Sequence, residues 1–228
     1  MAGKSRKSEQ ERRAELIEAT IREIGVMGSL DVTTSQIAKK AGVSSALAFH
    51  YFGDKEGLFL AAMRAILAEY GRDVRKALKG KTAPEERLQA IVHASFGMAS
   101  FRREAIGAWV NFYALALRSD KARRLLHLYH RRLHSNLVHA LRPIVQQRAP
   151  DVARRVAGLI DGLYLRYALD ARTLRSGEGA TGVVDGSEGA QHVLRAIAAE
   201  CTEIRQNETI SMVEADPDPM ATLLPPQE

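Results

Sequence analysis

Several side chains in the second half of this chain have the types and spacing to hold a cation. Trp109, Phe112 and Tyr113 fall at i, i+3 and i+4, so a helix sets them on one side. Tyr164 and Tyr167 stand on a second segment about one turn beyond Asp161, which interrupts an apolar run ending in Leu163, Tyr164 and Leu165. An ionised carboxylate buried there needs a partner, whether a bound cation, Arg166 or capping hydrogen bonds. Rings at this spacing either form plain core or wall a chamber. A chamber of ring faces attracts a quaternary ammonium group.

A second stretch, Thr33 to Lys55, has a different chemistry. Thr33 and Gln36 form a capping box, and Ile37, Ala38 and Ala41 make one apolar face of a short helix. Gly42 breaks that helix in a turn that needs positive φ. Ser44 caps a second helix, predicted from about Ser45 to Phe52, and Asp54 caps a third that begins at Lys55. Two short helices joined by a glycine turn make a helix-turn-helix, whose second helix can enter a DNA major groove.

Other combinations carry less. His127, His130 and His134 share a helical face, and His130 with His134 has chelating spacing. No carboxylate stands beside them and Arg131 and Arg132 repel a cation, so a solvated or interface face is expected and no metal. Gly177, Gly179 and Gly182 match a dinucleotide fingerprint, but that motif follows a strand, and here a helix precedes it. The Ser176–Gly189 stretch is expected to be a flexible loop. No nucleophile–base pair or paired-carboxylate site can be placed, which argues against an enzyme, and no cofactor is expected.

The elements that must position these residues are all helical. Leu16, Ile17, Ile21 and Ile24 follow a Ser8–Glu11 capping box, and this first helix would close a three-helix domain over the helix-turn-helix. A long amphipathic helix is predicted over Lys55–Leu78, with Phe59, Met63, Ile66, Leu67, Tyr70 and Val74 on its buried stripe. Further helices are expected at about Glu85–Phe101, Glu104–Leu117, Asp120–Gln147, Asp151–Arg172 and Ser187–Arg205. No alternating strand occurs, so the fold class is all-α. The 228 residues carry 33 Lys and Arg against 27 Asp and Glu, a balance that permits nucleic acid without demanding it. Lys4, Arg6, Lys7, Arg12 and Arg13 form a basic arm suited to phosphates. Eight basic residues against one acid between Arg118 and Arg148 read as a solvated face. One cysteine, Cys201, excludes an internal disulfide. With no apolar run near the ~20 residues of a membrane span, and no secretory leader, a cytoplasmic location is expected. From Glu208 to Glu228 five acids and four prolines, without Lys or Arg, predict a disordered tail.

The run Ile37-Ala-x-x-Ala-Gly-Val-Ser44, followed by His50-Tyr-Phe-x-Asp-Lys-x-Gly-Leu58, resembles the helix-turn-helix of TetR-type repressors. The segments Arg87–Val92, Ala108–Tyr113, Ser135–Val138 and Leu159–Arg166 resemble the choline-responsive, BetI-type branch of that family, so the similarity spans about Glu11 to Leu169. It implies a helix-turn-helix domain with its arm over 1–56, a ligand-binding and dimerisation domain over 57–205, and a tail over 206–228. It also implies that Thr34, His50, Tyr51 and Lys55 hold phosphates, that Ser35, Gln36, Ser45, Ala46 and Phe49 face base edges, and that Ser44 belongs to the same DNA-binding set. Trp109, Phe112, Tyr113, Asp161, Tyr164 and Tyr167 become the expected ligand site. The implied function is a homodimeric repressor on a palindromic operator in double-stranded DNA. A small effector, choline or a related quaternary ammonium compound, would release it to control glycine-betaine synthesis or uptake genes. The alternatives are a TetR-type regulator of efflux or catabolism with another cationic or apolar effector, and an architectural DNA binder with none. Gly158 and Gly162 predict a close helix approach at a dimer face built from the last two helices.

Overall fold

The computed structural model describes residues 8–97, 103–169 and 186–215, and among these the secondary structure is helical throughout. The first helices follow their caps. α1 (Glu9–Met27) opens on the reciprocal Ser8–Glu11 box and stops at Gly28, whose φ is 63°. α2 (Thr34–Lys40) opens on the Thr33–Gln36 box, and α3 (Ser45–Phe52) on the Ser44 side chain. Between them Gly42 has φ 67°, the left-handed conformation that the turn requires. Asp54 accepts from the Gly57 amide at 2.5 Å and starts α4 (Lys55–Leu78).

The body consists of α5 (Pro84–Ser95), α6 (Arg103–Ala116), α7 (Asp120–Val145), α8 (Ala149–Leu169) and α9 (Ser187–Ala215). α5 is shorter than expected: Phe96 already lies outside helical geometry as its C-cap. A 3-10 turn at Gln146–Arg148 separates α7 from α8. α9 corrects the tail boundary, because residues 206–215 continue the helix instead of beginning a disordered segment. Its first turn also takes in Ser187–Gly189, which shortens the expected loop. Lys4, Arg6, Lys7, the Gly177–Gly182 match and residues 216–228 lie outside the described residues.

Two apolar cores form. One gathers α5, α7, α8 and α9 around Ile91, Leu133, Leu137, Leu141, Val152 and Val193. Cys201 is 2% exposed within it, and burial pushes its thiol pKa up. The other joins Leu16, Ile24, Ile37, Leu58 and Met63 to Trp109, Phe112 and Leu115. Each fully buried apolar side chain here contributes roughly 1.5–3 kcal/mol. This second core therefore runs from the N-terminal helices straight into α6.

Two contacts tie the N-terminal head to the body. At Gly25 a Cβ would stand 2.3 Å from the Glu104 carbonyl oxygen, and at Gly107 one would stand 2.8 Å from that of Gly25. Only glycine lets the backbones of α1 and α6 come this close. Beside it, the Ser119 hydroxyl, which caps α7, donates to Glu56 Oε1 in the first turn of α4 at 2.5 Å.

Candidate functional site

The outer face of the head presents Ser35, Gln36, Ser44, Ala46, Phe49 and His50 as exposed residues, with Ser45, Tyr51 and Lys55 half-buried. Phe49 is 48% exposed although it is a large apolar ring on a short helix. Ser45 donates to Ser35 across the turn at 3.2 Å, so these two hydroxyls stand together. Gln36 is less available than its sequence position suggests. Its Oε1 accepts from the Thr33 amide at 2.7 Å and the Thr33 hydroxyl at 2.9 Å, which leaves its NH2 group to meet a partner. That rotamer cannot read adenine in the two-bond manner open to a free amide. Thr34 is only 8% exposed, the least accessible residue of the set. Lys55 holds its ammonium 5.3 Å from the centre of the Phe59 ring, at the N-terminus of α4.

Arg13 departs from the phosphate-seeking arm. Its guanidinium lies over the Phe52 ring at 4.9 Å and the Tyr51 ring at 5.5 Å, and donates to the Tyr51 carbonyl at 3.0 Å. Half-buried in this way, it fastens α1 to the end of α3.

The body brings Trp109 and Asp161 near two tyrosines outside the expected ligand set, Tyr70 and Tyr129. Tyr129 on α7 is central: its ring meets Trp109 edge-on at 5.3 Å and Tyr70 of α4 at 5.5 Å, and its hydroxyl donates to Asp161 Oδ1 at 3.2 Å. Tyr113 meets Trp109 edge-on at 5.6 Å. A cavity of about 40 Å³ is walled by Trp109, Tyr70, Tyr129, Tyr164 and Ser95 with Ile66, Leu67 and Ile160. This space takes a few water molecules at most, so the rings close on one another.

Phe112 is a correction to the expected set. It is 1% exposed inside the core of Leu16, Ile24 and Met63, so it does not reach the cavity. On α6 it packs toward α1 and α4, while Trp109, in the same core, also reaches Tyr129 of α7. Tyr167 stands on α8, with its side chain outside the described residues. Arg166 is exposed; beside Asp161 stand instead the Tyr129 and Tyr113 hydroxyls and His130, whose Nε2 is 3.4 Å from Oδ2. His134 reaches the Pro150 carbonyl at 3.1 Å, so this part of the histidine face looks at α8 rather than at solvent. No group of ligating side chains suited to a metal occurs among the described residues.

The electrostatics centre on Asp161, whose side chain is 26% exposed. Burial pushes the Tyr70 hydroxyl up to about 12, its bond with Ser95 pulls the other way, and the charge of Asp161 adds to the rise. Burial, then the same carboxylate, raise Tyr113 and Tyr129 too, and burial raises Tyr164. All four therefore remain neutral at physiological pH. Asp161 thus stands behind the neutral tyrosine rings with His130 beside it, and neither Asp161 nor Tyr113 is a wall of the cavity; the ring faces that line it suit a soft cation.

Comparison with known proteins agrees with this anatomy. Residues 16–62 match the family described as bacterial regulatory proteins, tetR family, and residues 84–201 match the BetI-type transcriptional repressor C-terminal domain. The HTH-type transcriptional regulator BetI of Brucella suis biovar 1 (strain 1330) is 54% identical over 161 residues, covering 70% of this chain and 81% of the relative. That of Agrobacterium fabrum (strain C58) is 47% identical over 167 residues, covering 72% and 80%. A transcriptional regulator from Pseudomonas aeruginosa PAO1 shares the fold with a TM-score of 0.73 at 23% identity, over 89% of this chain and 96% of that one. A transcriptional regulator from Saccharomonospora viridis, solved in complex with choline, shares it with a TM-score of 0.67 at 24% identity, over 83% and 97%. A helix-turn-helix head on an all-helical body, with these matches, defines a transcriptional regulator of the TetR family, not an enzyme. Within that family the chain belongs to the BetI-type repressors. No helix among the described residues is long and apolar enough to cross a membrane.

Proposed function

We propose that the chain acts as a homodimer on a palindromic operator and is released by choline or a related quaternary ammonium compound, so controlling glycine-betaine synthesis or uptake genes. The observation that carries the effector is Asp161 held among Trp109, Tyr70, Tyr113 and Tyr129. A quaternary ammonium has no N–H to donate, so ring faces and a nearby carboxylate are its natural partners. The choline-bound relative in fold supports the same choice.

Closure of the rings supplies the switch. A cation can enter only if they part, so the free and liganded arrangements differ, as a two-state response needs. Trp109 lies two residues beyond the Gly25–Gly107 crossing, and Tyr129 lies on the helix that Ser119 ties to Glu56, next to Lys55. Movement of either helix therefore bears on the head. The coupling expected of such a device is ~1–3 kcal/mol.

The dimer is argued from α8. Gly158 and Gly162 are exposed, with nothing within 4 Å of where a Cβ would stand, and Leu165 beside them is 41% exposed. α9 packs along α8, joined by the Arg155–Glu200 ion pair, so both helices are placed to meet their copies. A palindromic operator calls for two heads one DNA turn apart, ~34–36 Å, which a two-fold dimer through these helices would supply. A monomer at micromolar concentration in sedimentation would overturn this.

On DNA, Lys55→Ala is expected to weaken binding to all duplexes nearly equally and to lower the salt dependence by about one counterion. Phe49→Ala should instead relax sequence preference, because an exposed ring is suited to thymine methyls. Anisotropy titrations of specific and scrambled duplexes distinguish the two; a change in preference alone from Lys55→Ala would refute its phosphate role. The same assay tests the effector. Choline should release the specific duplex, taken from the DNA upstream of the protein's own gene, at fixed salt while leaving residual binding to scrambled DNA unaffected, and tight binding that choline does not alter would discard the ligand.

A further inference from the structure

A second, larger space opens beside the aromatic cavity. Between α4 and α7 runs a groove of about 510 Å³, and Leu67, Tyr70 and Tyr129 are walls of both spaces. Its floor is apolar, from Val74 and Leu78 on α4 to Leu125 on α7. Its border is charged in one sense only: Arg64 and Arg75 on α4 and Arg132 on α7 line it, and no acid does. All three arginines are exposed, and none forms an ion pair with an acid among the described residues.

This electrostatic pattern does not suit a simple cation, which three guanidinium groups repel at the entrance. It suits an anion, and the planar forks of Arg75 and Arg132, with five donors each, suit a phosphate better than a lone carboxylate. The inner space has the opposite preference, with Asp161 behind neutral rings. The two spaces meet at Tyr70 and Tyr129, so one molecule of modest length can reach both.

We propose that the α4–α7 groove is the outer half of the effector site, and that the tighter effector is a zwitterion: a quaternary ammonium that carries a phosphate, with its cationic end among the rings and its phosphate on Arg75 and Arg132. This rests on the aromatic-site reading above and extends it to the substituent on the ammonium. Choline itself fills only the inner half. A carboxylate betaine presents one charge on a short arm and gains less.

The chain has a single tryptophan, Trp109, at the inner end, so its fluorescence reports occupancy directly. Choline, glycine betaine and phosphocholine are titrated in turn against the full-length protein at fixed salt. Phosphocholine is expected to bind at least about tenfold more tightly than choline, the gain of one good charge-assisted contact. Arg75→Gln with Arg132→Gln should remove that margin, while choline affinity holds or rises slightly because two charges that repel it are gone; both side chains are exposed, so the fold should tolerate the change. Equal affinity for choline and phosphocholine, or a margin that survives the double substitution, would overturn the groove assignment while choline quenching preserves the inner site. A margin shown by glycine betaine alone would overturn the phosphate. Absence of quenching by all three would overturn the aromatic reading, and this proposal with it.

Discussion

Asp161→Asn should lower choline affinity by about ten- to a hundredfold and leave operator binding in place. The substitution keeps the shape of the side chain and the acceptor for the Tyr129 hydroxyl, which lies 3.2 Å from Oδ1. It removes the negative charge that a cation would meet and puts an amide N–H pair in its place. Opposite unit charges about 5 Å apart at an effective dielectric near 20 attract by roughly 3 kcal/mol before desolvation is subtracted, and each 1.4 kcal/mol is about a factor of ten in affinity. The carboxylate is three-quarters buried, so solvent screens it only in part. Fluorescence of Trp109 gives the affinity, and anisotropy of labelled operator in the absence of choline gives the control. Undiminished choline binding by Asp161→Asn would mean that the rings alone hold the cation.

Gly25→Ala should lower the melting temperature by several degrees and weaken release of DNA by choline. A Cβ at Gly25 would stand 2.3 Å from the carbonyl oxygen and 2.4 Å from the Cα of Glu104. Both are backbone atoms, so no side chain can swing aside; α1 and α6 must separate. Overpacking of this kind costs about 1–3 kcal/mol, which corresponds to roughly 2–4 °C per kcal/mol in a chain of this size. Gly71→Ala is the matched control, because a Cβ there meets only the end of the Arg75 side chain at 3.4 Å. It should be neutral or gain a few tenths of a kcal/mol from helix propensity, up to about 1 kcal/mol. Thermal melts compare the two directly. If the crossing is also the route from Trp109 to the head, the ratio of operator affinities with and without choline falls in Gly25→Ala. An unchanged ratio beside a lowered melting temperature would make the crossing a structural contact only.

The head was legible in the sequence almost residue by residue. The bounds Ser45–Phe52 and Lys55–Leu78 agree with the structure, as do the capping boxes of Ser8 and Thr33 and the turn at Gly42. These features are local: a cap joins residues three apart, and a left-handed turn needs one glycine, so a short window of chain contains the whole interaction. What spacing could not say is which of these residues are already engaged. Gln36 spends its carbonyl on Thr33, and Arg13 spends its guanidinium on Tyr51 and Phe52. Both were candidates for DNA by type.

In the body the sequence determined the helices and which stripe of each is apolar. Tertiary structure decided what each stripe faces. Phe112 is sealed in the second core away from the cavity, whereas Tyr70 and Tyr129, fifty-nine positions apart in the chain, came to share the Asp161 environment. Helical periodicity measures only the angle of a side chain about its own axis. The crossing of α1 on α6 and the distance between α4 and α7 set the partner, and with it the closed ring cluster and the arginine-bordered groove beside it. Those depend on packing between segments far apart in sequence, which no local pattern encodes.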